Sequence, residues 1–128
     1  MLKVFLVEDS SPVRLRLAAL IKPIAEANVV GEAEDAGTAL TGIANSGADL
    51  VIVDLRLAGS DGLELVSHLS HDTRKVITIV LTNYSTQAFR AASFAAGADY
   101  FFDKTSEFDL ARDTIAHIAR ARSDHIIE

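Results

Sequence analysis

The sequence predicts an α/β fold in which five parallel strands form one doubly wound sheet, with helices on both of its faces. Short apolar runs of strand length alternate about five times along the chain with segments that have the apolar period of an amphipathic helix. The connections between these segments are short, and no linker, repeat array or low-complexity segment interrupts them. We therefore expect one domain built from a repeated βα unit.

The composition is that of a globular protein with a core. Of its 128 residues, 49% are hydrophobic and 23% are charged, which argues against disorder. The formal net charge is -6 and there is no basic run, so we expect no nucleic-acid surface in this chain. The absence of cysteine excludes disulfides and thiolate chemistry. No apolar run has the length of a membrane span and the N-terminus is too short for a signal peptide, so we expect a soluble, cytoplasmic protein with no membrane partner.

Each strand is predicted from a run of apolar residues. In chain order the runs are 4–7, 29–33, 50–53, 76–81 and 98–102. The third run is continuously apolar and the fourth is apolar except for Thr78, as strands are when a parallel sheet is covered on both faces. The second run is more polar, which suits a strand at the edge of the sheet.

Each helix is predicted from its apolar period and from the residues at its ends. The helices start after Ser10, cover 38–45, 63–71 and 86–96, and start again after Ser106. The two serines are in the position of N-caps. Pro23 lacks the amide hydrogen that a helix interior needs, so it should kink or end the first helix early. Gly47 and Gly97 should close the second and fourth helices.

Polar and charged residues follow the strand ends. Glu8 and Asp9 come after the first strand, Asp54 after the third, Thr82 after the fourth and Lys104 after the fifth. A single Asp after a strand more often begins a turn or caps a helix, so Asp54 alone would be a weak indication of function. Because the carboxyl ends of parallel strands meet at one edge of a sheet, we expect these side chains to gather there.

This set of side chains suits phosphoryl transfer. Three carboxylates close together repel one another and raise one another's pKa unless a cation joins them. Carboxylate oxygens with room for water suit Mg²⁺, which we predict as the cofactor. A carboxylate nucleophile beside a divalent cation and a lysine has the positive charge that phosphoryl oxygens need.

With Asp61-Gly62 in the loop after the third strand, these residues resemble the receiver domains of two-component response regulators, and the resemblance covers nearly the whole chain. It implies the flavodoxin-like receiver fold, (βα)5, and a phosphoryl group that passes to Asp54 from a phosphohistidine on a sensor histidine kinase or from a phosphotransfer protein. It implies that Asp9, Asp54 and the backbone carbonyl of Arg56 bind Mg²⁺ directly, and that Glu8 acts mainly through water.

The same resemblance implies a phosphoacceptor switch that assists its own phosphorylation and dephosphorylation and is not a turnover enzyme. Thr82 would hydrogen-bond the phosphoryl group, and Lys104 would pair with it. Phe101 occupies the family's aromatic switch position, and its ring would turn inward when Thr82 moves. This movement would change the face made by the fourth helix, the fifth strand and the fifth helix. We expect a downstream protein to bind this face, as would a second copy of the chain if homodimers form.

The chain departs from the family pattern beside the site. Thr105 follows Lys104 where the family usually has proline, so we expect a trans peptide bond there. Asn83 stands where a small residue is usual and would narrow access to the site. Arg56 and Tyr84 flank the expected path of attacking water, and we predict that they slow hydrolysis of the phosphorylated state.

Three alternative functions share parts of this sequence pattern. A receiver-like scaffold could act without phosphorylation. An aspartate-nucleophile phosphatase often has a second Asp two residues past its nucleophile, and here that residue is Arg56. A flavin-binding flavodoxin would need a phosphate loop after the first strand, where Glu8 and Asp9 would repel a phosphate.

We place the receiver domain over residues 1–122 and a C-terminal tail over 123–128. The chain ends about where the fold ends. We therefore expect either a stand-alone receiver that acts on partner proteins or a receiver trimmed from a longer protein.

Overall fold

The computed structural model describes residues 1–127 and the side chains of residues 1–123. The strands of its main sheet are β1 (Leu2–Val7), β2 (Ala27–Ala33), β3 (Leu50–Val53), β4 (Ile77–Thr82) and β5 (Tyr100–Asp103). All neighbouring strands are parallel, in the order β2-β1-β3-β4-β5. The helices between and after them are α1 (Ser11–Ile21), α2 (Ala36–Ser46), α3 (Gly62–Ser70), α4 (Gln87–Ala96) and α5 (Phe108–Ile127). The predicted doubly wound sheet is confirmed.

The sheet separates two hydrophobic cores. On one face α2 and α3 pack against alternate strand residues, among them Phe5 and Val51. On the other face α1 and α5 pack against the residues between these, among them Leu6 and Ile52. Successive side chains of a strand point to opposite faces, so a continuously apolar strand can serve both cores. β3 is accordingly apolar throughout, whereas β4 also contains the buried Thr78.

Most of the predicted helix ends are confirmed. The Ser10 hydroxyl caps α1 by accepting a hydrogen bond from the Val13 N–H at 3.4 Å. The helix ends just before Pro23, as expected of a residue without an amide hydrogen. Gly47 and Gly97 close α2 and α4 with φ angles of 67° and 114°, a region that favours glycine.

The predicted start of α5 is wrong. The helix begins at Phe108, and Ser106 lies in the preceding turn, where its N–H donates to the Asp103 carboxylate at 3.0 Å. At its other end α5 continues to Ile127, so residues 123–127 of the predicted tail are helical. The division between domain and tail at residue 122 stays a prediction, and residue 128 lies outside the described residues. In the described part of the chain no helix is long and apolar enough to cross a membrane.

Candidate functional site

The sheet itself brings the strand-end residues together. Where β3 ends, the Asp54 N–H donates to the Val7 carbonyl at 3.1 Å, which continues the parallel hydrogen bonding of β3 with β1. Where β5 ends, the Lys104 N–H donates to the Thr82 carbonyl at 2.9 Å in the same way. These bonds fix the first residue after each strand at one edge of the sheet, as the sequence predicted.

A cluster of three charged groups, one ammonium and two carboxylates, lies at the centre of this edge. The Lys104 Nζ donates to Glu8 Oε1 at 2.5 Å and to Asp54 Oδ2 at 2.7 Å. Glu8 is 2% exposed and Asp54 is 7% exposed, so the two carboxylates are shielded from water. Charged hydrogen bonds are strong in such surroundings. The sequence predicted that Lys104 lies beside Asp54, but it did not predict that Glu8 shares the same ammonium.

Burial and hydrogen bonding have opposite effects on these charges. Burial raises the pKa of Glu8, and the hydrogen bonds from Lys104 and from the Ser10 N–H only partly offset this. For Lys104, burial disfavours the ammonium, but its hydrogen bonds to Asp54 and Glu8, together with the attraction of the two negative charges, outweigh burial and raise its pKa. The lysine therefore stays cationic at neutral pH.

The acids at this edge form a potential metal site. Glu8, Asp9 and Asp54 each offer one carboxylate oxygen, and these oxygens lie within 4.8 Å of one another. Asp9 is exposed while the other two are buried, so the cluster opens to solvent on one side. Hard oxygen donors with an open side fit Mg²⁺, which keeps part of its water shell. The residues present therefore fit the predicted cofactor, whereas the part predicted for the Arg56 carbonyl stays a prediction.

Thr82 and Phe101 belong to neighbouring strands near this cluster. Thr82 is fully buried, and its hydroxyl oxygen accepts a hydrogen bond from the Tyr84 N–H at 3.1 Å, so its hydrogen can donate elsewhere. Phe101 is 5% exposed, and its ring centroid lies 6.5 Å from that of Phe94 on α4. The Arg90 guanidinium lies over the Phe101 ring at 5.6 Å. The ring expected to turn inward is therefore already buried in this structure.

Three stacked side chains line a groove beside the strand end at Asp54. The Arg56 guanidinium lies 4.7 Å from the Tyr84 ring centroid, and the Tyr84 ring meets the Phe89 ring edge-to-face at 5.8 Å. With Leu55 and Asp61, these side chains line a groove of about 240 Å³. The sequence indicated Arg56 and Tyr84, but the third member, Phe89, was missed because its position depends on where α4 lies.

The loop after β3 is shaped by Asp61-Gly62. The Asp61 carboxylate caps α3 by accepting a hydrogen bond from the Leu63 N–H at 2.9 Å. A Cβ atom at Gly62 would overlap the backbone of Asp54 and Leu55. Glycine is therefore needed for α3 to approach the strand end so closely.

The loops after β4 and β5 contact each other through residues that the sequence analysis did not combine. The Thr105 hydroxyl donates to the Asn83 side-chain oxygen at 3.1 Å, so two departures from the family pattern form one contact. The Ser85 hydroxyl donates to the Asp103 carboxylate. The peptide bond after Lys104 is trans, as expected. An Asp followed by Thr and Ser two and three residues later is a turn signal that could have indicated part of this arrangement.

Comparison with known proteins decides the family. The sequence pattern of the response regulator receiver domain matches residues 4–116. The chain belongs to this family. It is 33% identical over 113 residues to the DNA-binding transcriptional activator DevR/DosR of Mycobacterium tuberculosis, covering 88% of this chain and 52% of that protein. It is 29% identical over 115 residues to the transcriptional regulatory protein LiaR of Bacillus subtilis, covering 90% of this chain and 54% of that protein.

Solved structures agree with this assignment. The chain superposes with a TM-score of 0.84 on a two-component response regulator of the LuxR family from Aurantimonas sp. SI85-9A1, at 29% identity over 93% of this chain and 85% of that one. The response regulator domain of Thermotoga maritima CheB has the same fold, with a TM-score of 0.82 at 20% identity over 94% of this chain and 95% of that one. The chain spans about half the length of the curated relatives named above.

The resemblance drawn from the strand-end residues is confirmed at the level of the family. Receiver domains of response regulators are phosphoacceptor switches of two-component systems, and phosphorylation and Mg²⁺ binding are typical of them. The flavodoxin-like receiver fold is confirmed as well. A scaffold or a phosphatase is not favoured.

Proposed function

We propose that Asp54 accepts a phosphoryl group from a phosphohistidine on a sensor histidine kinase or from a phosphotransfer protein. One observation carries the proposal: the buried Asp54 carboxylate lies 2.7 Å from the Lys104 ammonium and within 4.8 Å of carboxylate oxygens of Glu8 and Asp9. This places a nucleophile, a fixed positive charge and the ligands for a divalent cation around one point.

The chemistry follows from these groups. A carboxylate oxygen of Asp54 attacks the phosphorus, the P–N bond of the phosphohistidine breaks, and the imidazole nitrogen keeps the electron pair. Asp9, Asp54 and the Arg56 carbonyl would hold Mg²⁺ directly and Glu8 mainly through water, and the bound ion would supply positive charge to the phosphoryl oxygens. Lys104 exchanges its hydrogen bond from the Asp54 carboxylate to a phosphoryl oxygen.

Phosphorylation of Asp54 changes the packing of the protein and does not serve to turn over a substrate. A hydrogen bond from Thr82 to the phosphoryl group favours one packing of the neighbouring strand ends over another. In this structure the Phe101 ring is buried beside Phe94, and an outward ring is the alternative packing. A downstream protein reads the face of α4, β5 and α5, and a second copy of the chain is a further candidate for the same face.

Incubation of the chain with Mg²⁺ and a small phosphodonor such as phosphoramidate tests the proposal. Intact mass should show one covalent phosphoryl adduct that Asp54→Asn abolishes. Asp35→Asn, which alters the half-buried N-cap of α2, serves as the control and should keep the adduct. Steady release of phosphate at enzymatic rates would instead indicate a phosphatase, and no adduct in the parent chain would indicate a scaffold.

A further inference from the structure

Two hydrogen-bonded bridges join the loop after β4 to the loop after β5. In the first, the Ser85 hydroxyl donates to Asp103 Oδ2. In the second, the Thr105 hydroxyl donates to Asn83 Oδ1 at 3.1 Å. We call them the paired bridges. They share no side chain, so each can be removed without deleting a group of the other, and Asp103 is the last residue of β5 itself.

The carboxylate of Asp103 organises one end of this arrangement. Its Oδ1 accepts hydrogen bonds from the N–H groups of Thr105 at 2.7 Å and Ser106 at 3.0 Å, while its Oδ2 accepts from Ser85. The hydrogen bond from Ser85, followed by those from Ser106 and Thr105, lowers the pKa of Asp103, so the carboxylate is ionised at neutral pH. A charged acceptor makes each of these bonds stronger than a neutral one would.

The bridges lie next to both hydrogen-bonding groups of the site: they flank Lys104 in sequence, and both involve residues that closely follow Thr82. Lys104 is between the two bridge residues Asp103 and Thr105, and Asp103 is the register partner of Thr82 in the sheet. Asn83 directly follows Thr82. A movement of either loop therefore strains the bridges unless the other loop moves with it.

We propose that the paired bridges are positioning elements for phosphoryl transfer, which fix the Thr82 hydroxyl and the Lys104 ammonium relative to Asp54. The inference rests on the proposed function, because it concerns the same reaction. Fixed donors around a reacting group lower the barrier, since no reorganisation is needed when charge develops. At the position where the family usually has proline, the Thr105 hydroxyl ties the loop to its neighbour instead.

A role of Asp103 in shaping the start of α5 does not account for the bridges. The turn before the helix is closed by the backbone N–H groups of Thr105 and Ser106. The hydrogen bond from Ser85 adds nothing to that turn, and the second bridge does not involve Asp103 at all. Removing the Ser85 hydroxyl therefore cuts a bridge and leaves the turn intact.

The test measures the rate of Asp54 phosphorylation by phosphoramidate at saturating Mg²⁺. Ser85→Ala and Thr105→Val should each lower the rate constant about threefold to tenfold, the range expected for losing one hydrogen bond. Because both bridges hold the same pair of loops, the double variant should lose less than the product of the single losses. Ser85→Thr and Thr105→Ser keep a hydroxyl and should restore the rate.

Ser70→Ala is the matched control, since it removes an exposed serine hydroxyl whose hydrogen bond goes to the Ser67 carbonyl on α3. It should phosphorylate as fast as the parent chain. The free energy of unfolding of each variant separates positioning from loss of folded protein. The inference is overturned if Ser85→Ala and Thr105→Val react at the parent rate, or if Ser85→Thr and Thr105→Ser react as slowly as the variants without a hydroxyl. In either case the phosphoryl adduct on Asp54 still forms, so the proposed function stands. A parent chain that forms no adduct overturns the proposed function itself.

Discussion

Arg56 and Tyr84 stack on each other beside the strand end at Asp54, where we expect water to approach the site. The guanidinium lies 4.7 Å from the ring centroid, and the ring is supported in turn by Phe89. An arginine stacked on an aromatic ring is held in place, so this pair should restrict the approach of water to phosphorylated Asp54. We therefore expect the double variant Arg56→Ala/Tyr84→Ala to shorten the half-life of the phosphoryl group.

The half-life is measured from the decay of the adduct after the phosphodonor is removed. Alanine at position 56 keeps the backbone carbonyl proposed as a metal ligand, so the metal site is not altered by this change. Arg112→Ala removes a partly exposed arginine from α5 and should leave the half-life unchanged. A double variant whose half-life stays within about twofold of the parent value, a barrier difference of about 0.4 kcal/mol, would refute the role of the stack.

The sequence predicts the site residues that follow strands, but not the contacts that depend on the path of a loop or on side-chain conformation. Asp54 and Lys104 directly follow strands, and parallel strands of one sheet end at one edge whatever their loops do. The contact of Ser85 with Asp103 depends on the path of two loops, which no strand pattern specifies. The sharing of Lys104 by Glu8 depends on side-chain conformation, which the sequence leaves open.

At the scale of elements, α2 packs against the sheet through a glycine contact. A Cβ atom at Gly42 would lie 2.6 Å from Cζ of Phe5, which is 3% exposed and held within the core. Gly42→Ala should therefore destabilise the protein by about 1–3 kcal/mol, even though alanine favours helix. Gly37 lies in the same helix, and its Cβ would meet only the Asp35 carboxylate at 3.6 Å. Gly37→Ala should stabilise the protein by about 0.5–1 kcal/mol.

Urea unfolding of the two variants measures both free-energy changes. Phe5→Leu removes the ring that an alanine at position 42 would meet. The destabilisation by Gly42→Ala should then be smaller in a Phe5→Leu background than in the parent chain. If both alanine variants changed stability in the same direction, the ring contact would not be what requires glycine in α2.

The five strands of the main sheet and the five helices could be predicted, whereas the two-residue strands Arg56–Leu57 and Ser60–Asp61, which pair in the predicted loop after β3, and two boundaries near β5 could not. The predicted last strand included Ala98, whose N–H instead donates to the Ser93 carbonyl at 3.0 Å and so closes the end of α4. The predicted cap of α5 was Ser106, but the Asp103 carboxylate holds the Ser106 N–H in a turn, and the helical hydrogen bonding starts one residue later, from the Ala111 N–H to the Glu107 carbonyl. In both places a local hydrogen bond competes with the regular element, and such competition is decided by geometry rather than by residue type.

At the scale of the whole molecule, the acidic edge of the sheet is a source of instability that a cation should relieve. Three carboxylates face the single ammonium of Lys104 there, in a chain whose net charge is already -6. Repulsion among them opposes folding, whereas Mg²⁺ bound only to the folded state stabilises it by mass action. Free Mg²⁺ at 100 times its dissociation constant should raise the free energy of unfolding by about 2.7 kcal/mol.

Asp9→Asn should reverse its effect on stability when Mg²⁺ is added. Without Mg²⁺ the variant removes one of the repelling charges at little structural cost, because Asp9 is exposed, and the protein should become more stable than the parent. With Mg²⁺ the variant lacks a ligand, so it gains less from the metal than the parent does. Urea unfolding with and without Mg²⁺ measures both differences, and Asp113→Asn on α5 should change stability equally in the two conditions. The effect of Asp9→Asn on stability changes sign only if the carboxylates repel one another in the empty site and bind Mg²⁺ together in the loaded one. If the effect of Asp9→Asn on stability were the same with and without Mg²⁺, Asp9 would not be a ligand.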